Sequence, residues 1–247
     1  MKEITSLTNE TIKLYASLNN KKEREEHHLF IVDGDHLVLE AYKHHCLEAV
    51  LFTDYLPQEL KDYPNLIKVT DGIMAKISNV VDPKNIIGIC KYKEQVLPSG
   101  ATHLIALDGV QDPGNGGTIL RSALAFGYQG LLLSNDSFDI YNTKFIRSTM
   151  GAFFALPIIR GDLVKLLLAL KTNHKIIVAD LVDEAKPLSS CKFVEPLVIV
   201  VGNEGRGPTR AIRTLADEIV IIPISGNINS LNVGVAASII MNYFSNI

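Results

Sequence analysis

The chain reads as two successive stretches in which short apolar runs alternate with longer segments of mixed polarity. In the first, LFIV (29–32), EAVLF (48–52), NLIKV (65–69) and NIIGICKY (85–92) have the length and composition of strands. Between them, DHLVLEAYKHH (35–45) and DGIMAKISN (71–79) carry apolar residues at helical spacing. The polar run KEQVLPSGATH (93–103), with its Pro and Gly, breaks the pattern. It predicts a linker over 96–102, between an N-terminal domain of residues 1–95 and a C-terminal domain of residues 103–247.

Past that break the alternation restarts with HLIALD (103–108), GLLLS (130–134), KIIVADL (175–181), PLVIVVG (196–202) and EIVIIPI (218–224). These runs are continuously apolar and rich in β-branched residues, as strands buried on both faces of a parallel sheet require. GTILRSALAFG (117–127) and DLVKLLLALK (162–171) predict intervening helices. Val233, Ala236, Ala237, Ile240, Met241 and Phe244 form the apolar stripe of a last helix. The expected fold class is α/β: a small N-terminal α/β domain, then a mostly parallel sheet with helices on both faces.

Composition narrows the class. At 247 residues and 47% hydrophobic, the chain is an ordinary globular protein of one large or two modest domains. It has no apolar run of membrane-spanning length, and its start, MKEITSLTNETIKLY, is too polar for a secretory signal, so a cytoplasmic protein without membrane partners is expected. The odd, scattered Cys46, Cys90 and Cys191 fit a reducing compartment and roles as small core residues. His27-His28 and His44-His45 lack companion ligands at metal-site spacing, so no metal is expected.

The formal net charge of −3 falls entirely in residues 1–95, where 12 Lys/Arg face 15 Asp/Glu; the rest carries 12 of each. A nucleic-acid partner would have to be held by local basic patches, since no overall basic field exists.

The candidate chemistry sits where strands end, which is where open α/β sheets bind ligands. DGVQDPGNGGTILR (108–121) resembles a phosphate cradle, yet it lacks both the Gly-Lys-Ser/Thr of a P-loop and the G-x-G-x-x-G spacing, so a nucleotide-dependent oxidoreductase is rejected. On composition alone, a turn with an Asp/Pro/Gly/Asn helix start is the favoured reading there. Arg121 weighs against it, because a cation one turn into an apolar helix ordinarily needs a partner or ligand. In VGNEGRGPTR (201–210), Glu204 lies among Gly202, Gly205 and Gly207, more glycine than a simple connection uses. After the last apolar run come Ser225, Asn227, Asn229, Ser230 and Asn232, whereas a single Ser or Asn suffices to cap the final helix.

Together these loops resemble the SpoU family of RNA ribose 2′-O-methyltransferases, within the SPOUT superfamily. Its first motif, N-x-G-x-x-x-R, matches Asn115, Gly117 and Arg121; its second, G-x-E-x-x-G, matches Gly202, Glu204 and Gly207. The third, I-P-x-x-G-x-x-x-S-L-N-V, matches Ile222, Pro223, Gly226, Ser230, Leu231, Asn232 and Val233. RSTMGAFF (147–154) is similar to a family segment between the first two motifs, and FIVDGDHLVLEA (30–41) resembles the ribosomal-protein-like substrate-binding domain often fused to the catalytic one. Gly234 departs from the Ser that many members carry after Asn-Val.

The resemblance implies a deep C-terminal trefoil knot, S-adenosyl-L-methionine as cofactor, and a homodimer through the catalytic domain that completes the active site. It implies catalytic or orienting roles for Arg121, Asn115, Glu204, Ser230 and Asn232. Leu181, Gly202, Asn203, Gly207, Ile222, Pro223, Gly226 and Leu231 would contact the cofactor. Lys144, Arg147, Arg206 and Arg210, with Arg213, are candidate phosphate contacts on RNA; solvated surface charge is the plain alternative for each. The implied substrate is ribosomal RNA of the large subunit before transfer RNA, with an inactive RNA-binding protein of the same fold as the rival class.

Overall fold

The computed structural model describes residues 2–78, 85–192, 195–226 and 228–245; Asn227 and the last residue of the helix expected over 71–79 lie outside these ranges. The chain divides into two compact units, one of residues 1–94 with 140–154, the other of residues 95–139 with 155–247.

The first unit is built on strands β1 (Lys2–Ile4), β2 (Leu29–Asp33), β3 (Leu47–Phe52), β4 (Leu66–Val69) and β5 (Ile86–Lys91), in the order β1-β4-β3-β5-β2. The sheet is mixed: β5 runs antiparallel to both β2 and β3, while β3, β4 and β1 are mutually parallel. Helices α1 (Glu10–Ser17), α2 (Lys21–His27), α3 (Asp35–Lys43) and α4 (Asp71–Ile77) connect the strands. Ile12, Ile73 and Ile77 from α1 and α4 are fully buried against Leu51, Ile87 and Ile89 of the sheet.

Residues 140–154 come from the middle of the second apolar stretch, yet they complete this unit. Tyr141 stacks on Tyr92 with ring centroids 3.6 Å apart, and Phe153 and Phe154 close around Phe30 at 5.6 and 6.4 Å. Burying aromatic surface of this kind is a large apolar gain, which accounts for the packing of a segment remote in sequence.

The described residues of the second unit form a seven-stranded sheet, parallel throughout: β6 (His103–Asp108), β7 (Gly130–Ser134), β8 (Ile158–Gly161), β9 (Lys175–Ala179), β10 (Lys186–Pro187), β11 (Leu197–Gly202) and β12 (Glu218–Ile221), ordered β10-β12-β9-β11-β6-β7-β8. Every residue of the adjacent strands β6, β7 and β11 is buried, as their uninterrupted apolar runs require. The expected strand 218–224 stops at Ile221: Pro223 has no N–H to extend the ladder, and the chain leaves the sheet there.

Helix α5 (Pro113–Ala125) begins four residues before the apolar pattern does, with Pro113 at its first position and the Asp112 carboxylate accepting the N–H of Asn115 at 3.0 Å. Asn115 is therefore a first-turn residue and not a loop residue. Helix α6 (Thr143–Ser148) and the short α7 (Ala152–Ala155) follow, then α8 (Leu163–Leu170), α9 (Arg210–Leu215) and α10 (Val233–Tyr243). The stripe of α10 is buried at Ala237, Ile240 and Met241, and Phe244 just beyond it is fully enclosed. No helix among the described residues is long and apolar enough to cross a membrane. Cys46, Cys90 and Cys191 are buried free thiols, and burial pushes all three up from the ordinary thiol value.

Candidate functional site

Three loops meet at the carboxyl end of the parallel sheet: 109–112 after β6, 203–209 after β11, and 222–226 with 228–232 after β12. Asn232 caps α10, its Oδ1 accepting the N–H of Gly234 at 2.9 Å and of Val235 at 3.3 Å. Its Nδ2 donates to Asn115 Oδ1 at 2.9 Å, and Asn115 Nδ2 donates to Glu204 Oε1 at 3.0 Å. The Glu204 carboxylate also accepts the backbone N–H groups of Gln111 and Asp112, each at 3.3 Å. One side chain from each of three distant motifs thus joins an unbroken hydrogen-bonded chain.

Burial alone would raise the Glu204 carboxyl, but Asn115 and the backbone N–H donors outweigh it and hold the group below its ordinary value. Glu204 is therefore a charged anchor at neutral pH, its negative charge already spoken for by donors.

The loop carrying Glu204 is shaped by backbone proximity. A Cβ on Gly202 would lie 2.0 Å from Pro208 N, so no side chain fits there without moving the chain. Asn203 and Gly207 exchange backbone hydrogen bonds at 3.2 and 2.9 Å, closing the loop, while Asn203 Nδ2 donates to the Gly109 carbonyl at 2.8 Å. Gly234, the departure from the family pattern, lies where a Cβ would come within 3.3 Å of Thr118 on α5. Its absence of a side chain permits close approach of α5 and α10, whose Ser122 and Ser238 hydroxyls are 2.7 Å apart.

A cavity of about 580 Å³ opens between these loops and the end of β9. Leu181, Ile222, Ile224 and Leu231 give it apolar walls. Gly202, Asn203, Glu204 and Gly207 line it from the second loop, Ser230 and Asn232 from the third. Pro223 and Gly226 lie in the third loop, both exposed and away from the lining. Asn115 borders the cavity through Glu204 and Asn232 without lining it.

Arg121 differs from its sequence expectation. It is solvent-exposed on α5, with no hydrogen bond or ion pair among the described residues, and it does not line the cavity. The apolar pattern around it belongs to the opposite face of the helix, where Ile119, Leu120 and Ala123 are buried.

Of the other arginines, Arg206 stands at the cavity and pairs with Asp136 at 3.1 Å, and Arg210 is exposed at the start of α9. Arg213 forms an ion pair with the buried Asp180 carboxylate without the alignment of a hydrogen bond, and both line the cavity. Lys144 and Arg147 are exposed on α6, in the first unit.

Two carboxylates that sequence reasoning passed over help to build the site. Asp108, buried at the end of β6, accepts the Thr209 N–H at 2.6 Å and so ties the start of α9 to the end of the sheet. Asp180, just past β9, accepts the Leu181 N–H at 2.8 Å and pairs with Arg213. The available signal was an acidic residue closing an otherwise apolar strand, in HLIALD and KIIVAD.

The SpoU rRNA Methylase family matches residues 102–242, and an MRM3-like substrate binding domain matches residues 9–88. The chain is 31% identical to the 23S rRNA (guanosine(2553)-2′-O)-methyltransferase of Bacillus subtilis, over 98% of each chain. It is 35% identical to a 23S rRNA (uridine(2479)-2′-O)-methyltransferase of Streptomyces viridochromogenes, over 56% of this chain and 50% of that one. A crystal structure of an AdoMet-bound rRNA methyltransferase from Sinorhizobium meliloti superposes with a TM-score of 0.89 at 27% identity, covering 98% of this chain and 97% of the other.

Proposed function

This chain belongs to the SpoU rRNA methylase family, and from that premise we propose that it transfers a methyl group from S-adenosylmethionine to a ribose 2′-hydroxyl of 23S ribosomal RNA. The observation that carries the reading is the hydrogen-bonded chain Glu204–Asn115–Asn232, which borders a cavity of small-molecule size at the strand ends. Relatives named for 23S rRNA favour ribosomal over transfer RNA.

The residues present fit S-adenosylmethionine. Leu181, Ile222 and Leu231 offer apolar faces for a purine, and backbone groups near Gly202, Asn203, Gly207, Ile222 and Leu231 are suited to its polar edge and ribose. Pro223 and Gly226 set the course of the loop that carries Ser230 and Leu231. When bound, the cofactor supplies a methyl group already activated by its positive sulfur.

The protein's part is alignment and charge stabilisation. Asn115, Ser230 and Asn232 orient the target ribose by neutral hydrogen bonds, with Glu204 anchoring Asn115 and, through it, Asn232. Arg121 holds the nucleotide's phosphate and stabilises the charge that grows on the 2′-oxygen; a guanidinium stays protonated, so it does not serve as the base. Arg206, Arg210, Lys144 and Arg147 hold RNA phosphates, and residues 1–95 form the domain that selects the RNA.

The active form is a homodimer through the catalytic domain. Leu124 on α5 and Val235 and Ile239 on α10 are 43%, 47% and 41% exposed, an apolar surface for a second copy. Because Arg121 stands outside its own chain's cavity wall, a partner subunit that delivers it would complete the site. The reading includes the trefoil knot. Its support is that the chain leaves β12 near one edge, yet α10 packs back on α5 and on β11 within the sheet. Cytoplasmic action follows from a ribosomal RNA substrate.

Calorimetric titration with S-adenosylmethionine separates this enzyme from a non-catalytic RNA binder of the same fold. Stoichiometric binding supports the proposal; folded protein that binds none refutes it.

A further inference from the structure

The first unit holds a second cavity, open to solvent and about 910 Å³ in volume, that the methyl-transfer chemistry does not use. One wall is the turn from β2 into α3, the other is α6 from the segment 140–154, and Tyr55 stands at its edge. His36 Nε2–H donates to the Met150 carbonyl at 3.0 Å, tying the two walls together.

The chemistry of this cavity is mixed in a particular way. Tyr55 is 51% exposed, an aromatic face left for solvent beside a cavity it lines. Lys144 and Arg147 project from successive turns of α6 on the exposed side of the helix. Asp33 and Asp35 line the opposing turn. Burial pushes the Asp33 carboxyl up, against the pull of the Ser78 hydrogen bond and the Arg147 charge. A free phosphate would meet as many acids as bases here. A nucleotide meets matched groups: cations for its phosphate, a ring for its base, and acceptors for an exocyclic amine.

We propose that this cavity binds an unpaired nucleotide of the substrate RNA, its base stacked on Tyr55 and its phosphate held by Lys144 and Arg147. Unpaired bases are the ones whose faces are free to stack on a side chain, whereas a duplex hides them. This site rests on the reading of the protein as an RNA methyltransferase and adds where, and in what form, the RNA is gripped outside the reaction centre.

The test uses the full chain with a fluorescein-labelled, unstructured RNA oligonucleotide, and the same strand annealed to its complement. Tyr55→Ala should weaken single-strand binding about tenfold or more. Tyr55→Phe, which keeps the ring, should bind as wild type, and neither variant should change affinity for S-adenosylmethionine. Arg147→Gln should lower the salt dependence of log K for the single strand by roughly 0.7. Tyr55→Ala protein that binds the single strand like wild type, or that loses duplex binding equally, overturns the site. If wild-type protein methylates RNA but single-strand binding ignores Tyr55, the site alone fails. If Tyr55-dependent binding occurs without methyl transfer, the site stands and the enzyme reading fails.

Discussion

Asn232 reaches Asn115 across the packed pair α10 and α5, Nδ2 to Oδ1 at 2.9 Å, while its own Oδ1 caps α10. One amide therefore performs a structural task and a site task with opposite ends. The two tasks are separable by substitution. Asn232→Ala removes both, and loss of the cap should cost about 1 kcal/mol. Asn232→Asp keeps the cap oxygen but turns an acceptor towards Asn115. Thermal unfolding should show a lowered midpoint for Ala and a nearly unchanged one for Asp, with methyl transfer strongly reduced in both. An Asp variant of full activity would remove Asn232 from the site.

Glu204 gives a pH signature. Its folded-state value lies below the ordinary one, so its contribution to stability is present above the unfolded value and lost as pH falls through the lower folded value. The side chain is exposed, which limits the effect to roughly 1 kcal/mol or less. Urea unfolding of wild type and Glu204→Gln should differ at neutral pH and converge in acid. A gap that widens on acidification contradicts this assignment.

Gly202→Ala tests the loop geometry. The added methyl lies 2.0 Å from backbone that cannot rotate aside, and overpacking of this kind costs about 1–3 kcal/mol. Calorimetry should show weakened binding of S-adenosylmethionine, since the cavity wall must shift. Retained wild-type affinity with a folded protein would show that the loop yields without disturbing the cavity.

Arg121 should separate stability from turnover. Exposed and without a partner among the described residues, it can be replaced by Ala at a stability change within about 0.5 kcal/mol. Cofactor affinity should also be kept, while single-turnover methyl transfer should fall by about a hundredfold or more. Arg121→Lys keeps the charge but not the planar fork and should fall well short of wild type. Near-normal turnover in Arg121→Ala would exclude the electrostatic role.

The strands were legible because their side-chain pattern is local: runs such as PLVIVVG and HLIALD are buried on both faces and show it residue by residue. Short edge strands were not. β1 and β10 have three and two residues, too few for a period to register. The N-terminal parentage of residues 140–154 was hidden for a different reason, since aromatic contacts to Phe30 and Tyr92 depend on partners far away in the chain. At the site, residue types and order pointed to the three loops, but the links between them did not follow. That Asn115 joins Glu204 to Asn232 is a fact of packing. The apolar neighbours of Arg121 suggested a buried cation, whereas 3.6-residue periodicity puts it on the solvent side.

The most direct test of the central claim is a map of ribose 2′-O-methylation across 23S rRNA that lacks the modification, incubated with this protein and S-adenosylmethionine. The account predicts one new methylated ribose that requires the cofactor and forms about a hundredfold more slowly, or not at all, with Arg121→Ala. Full, cofactor-binding protein that leaves every 23S rRNA ribose unchanged while methylating transfer RNA would contradict it.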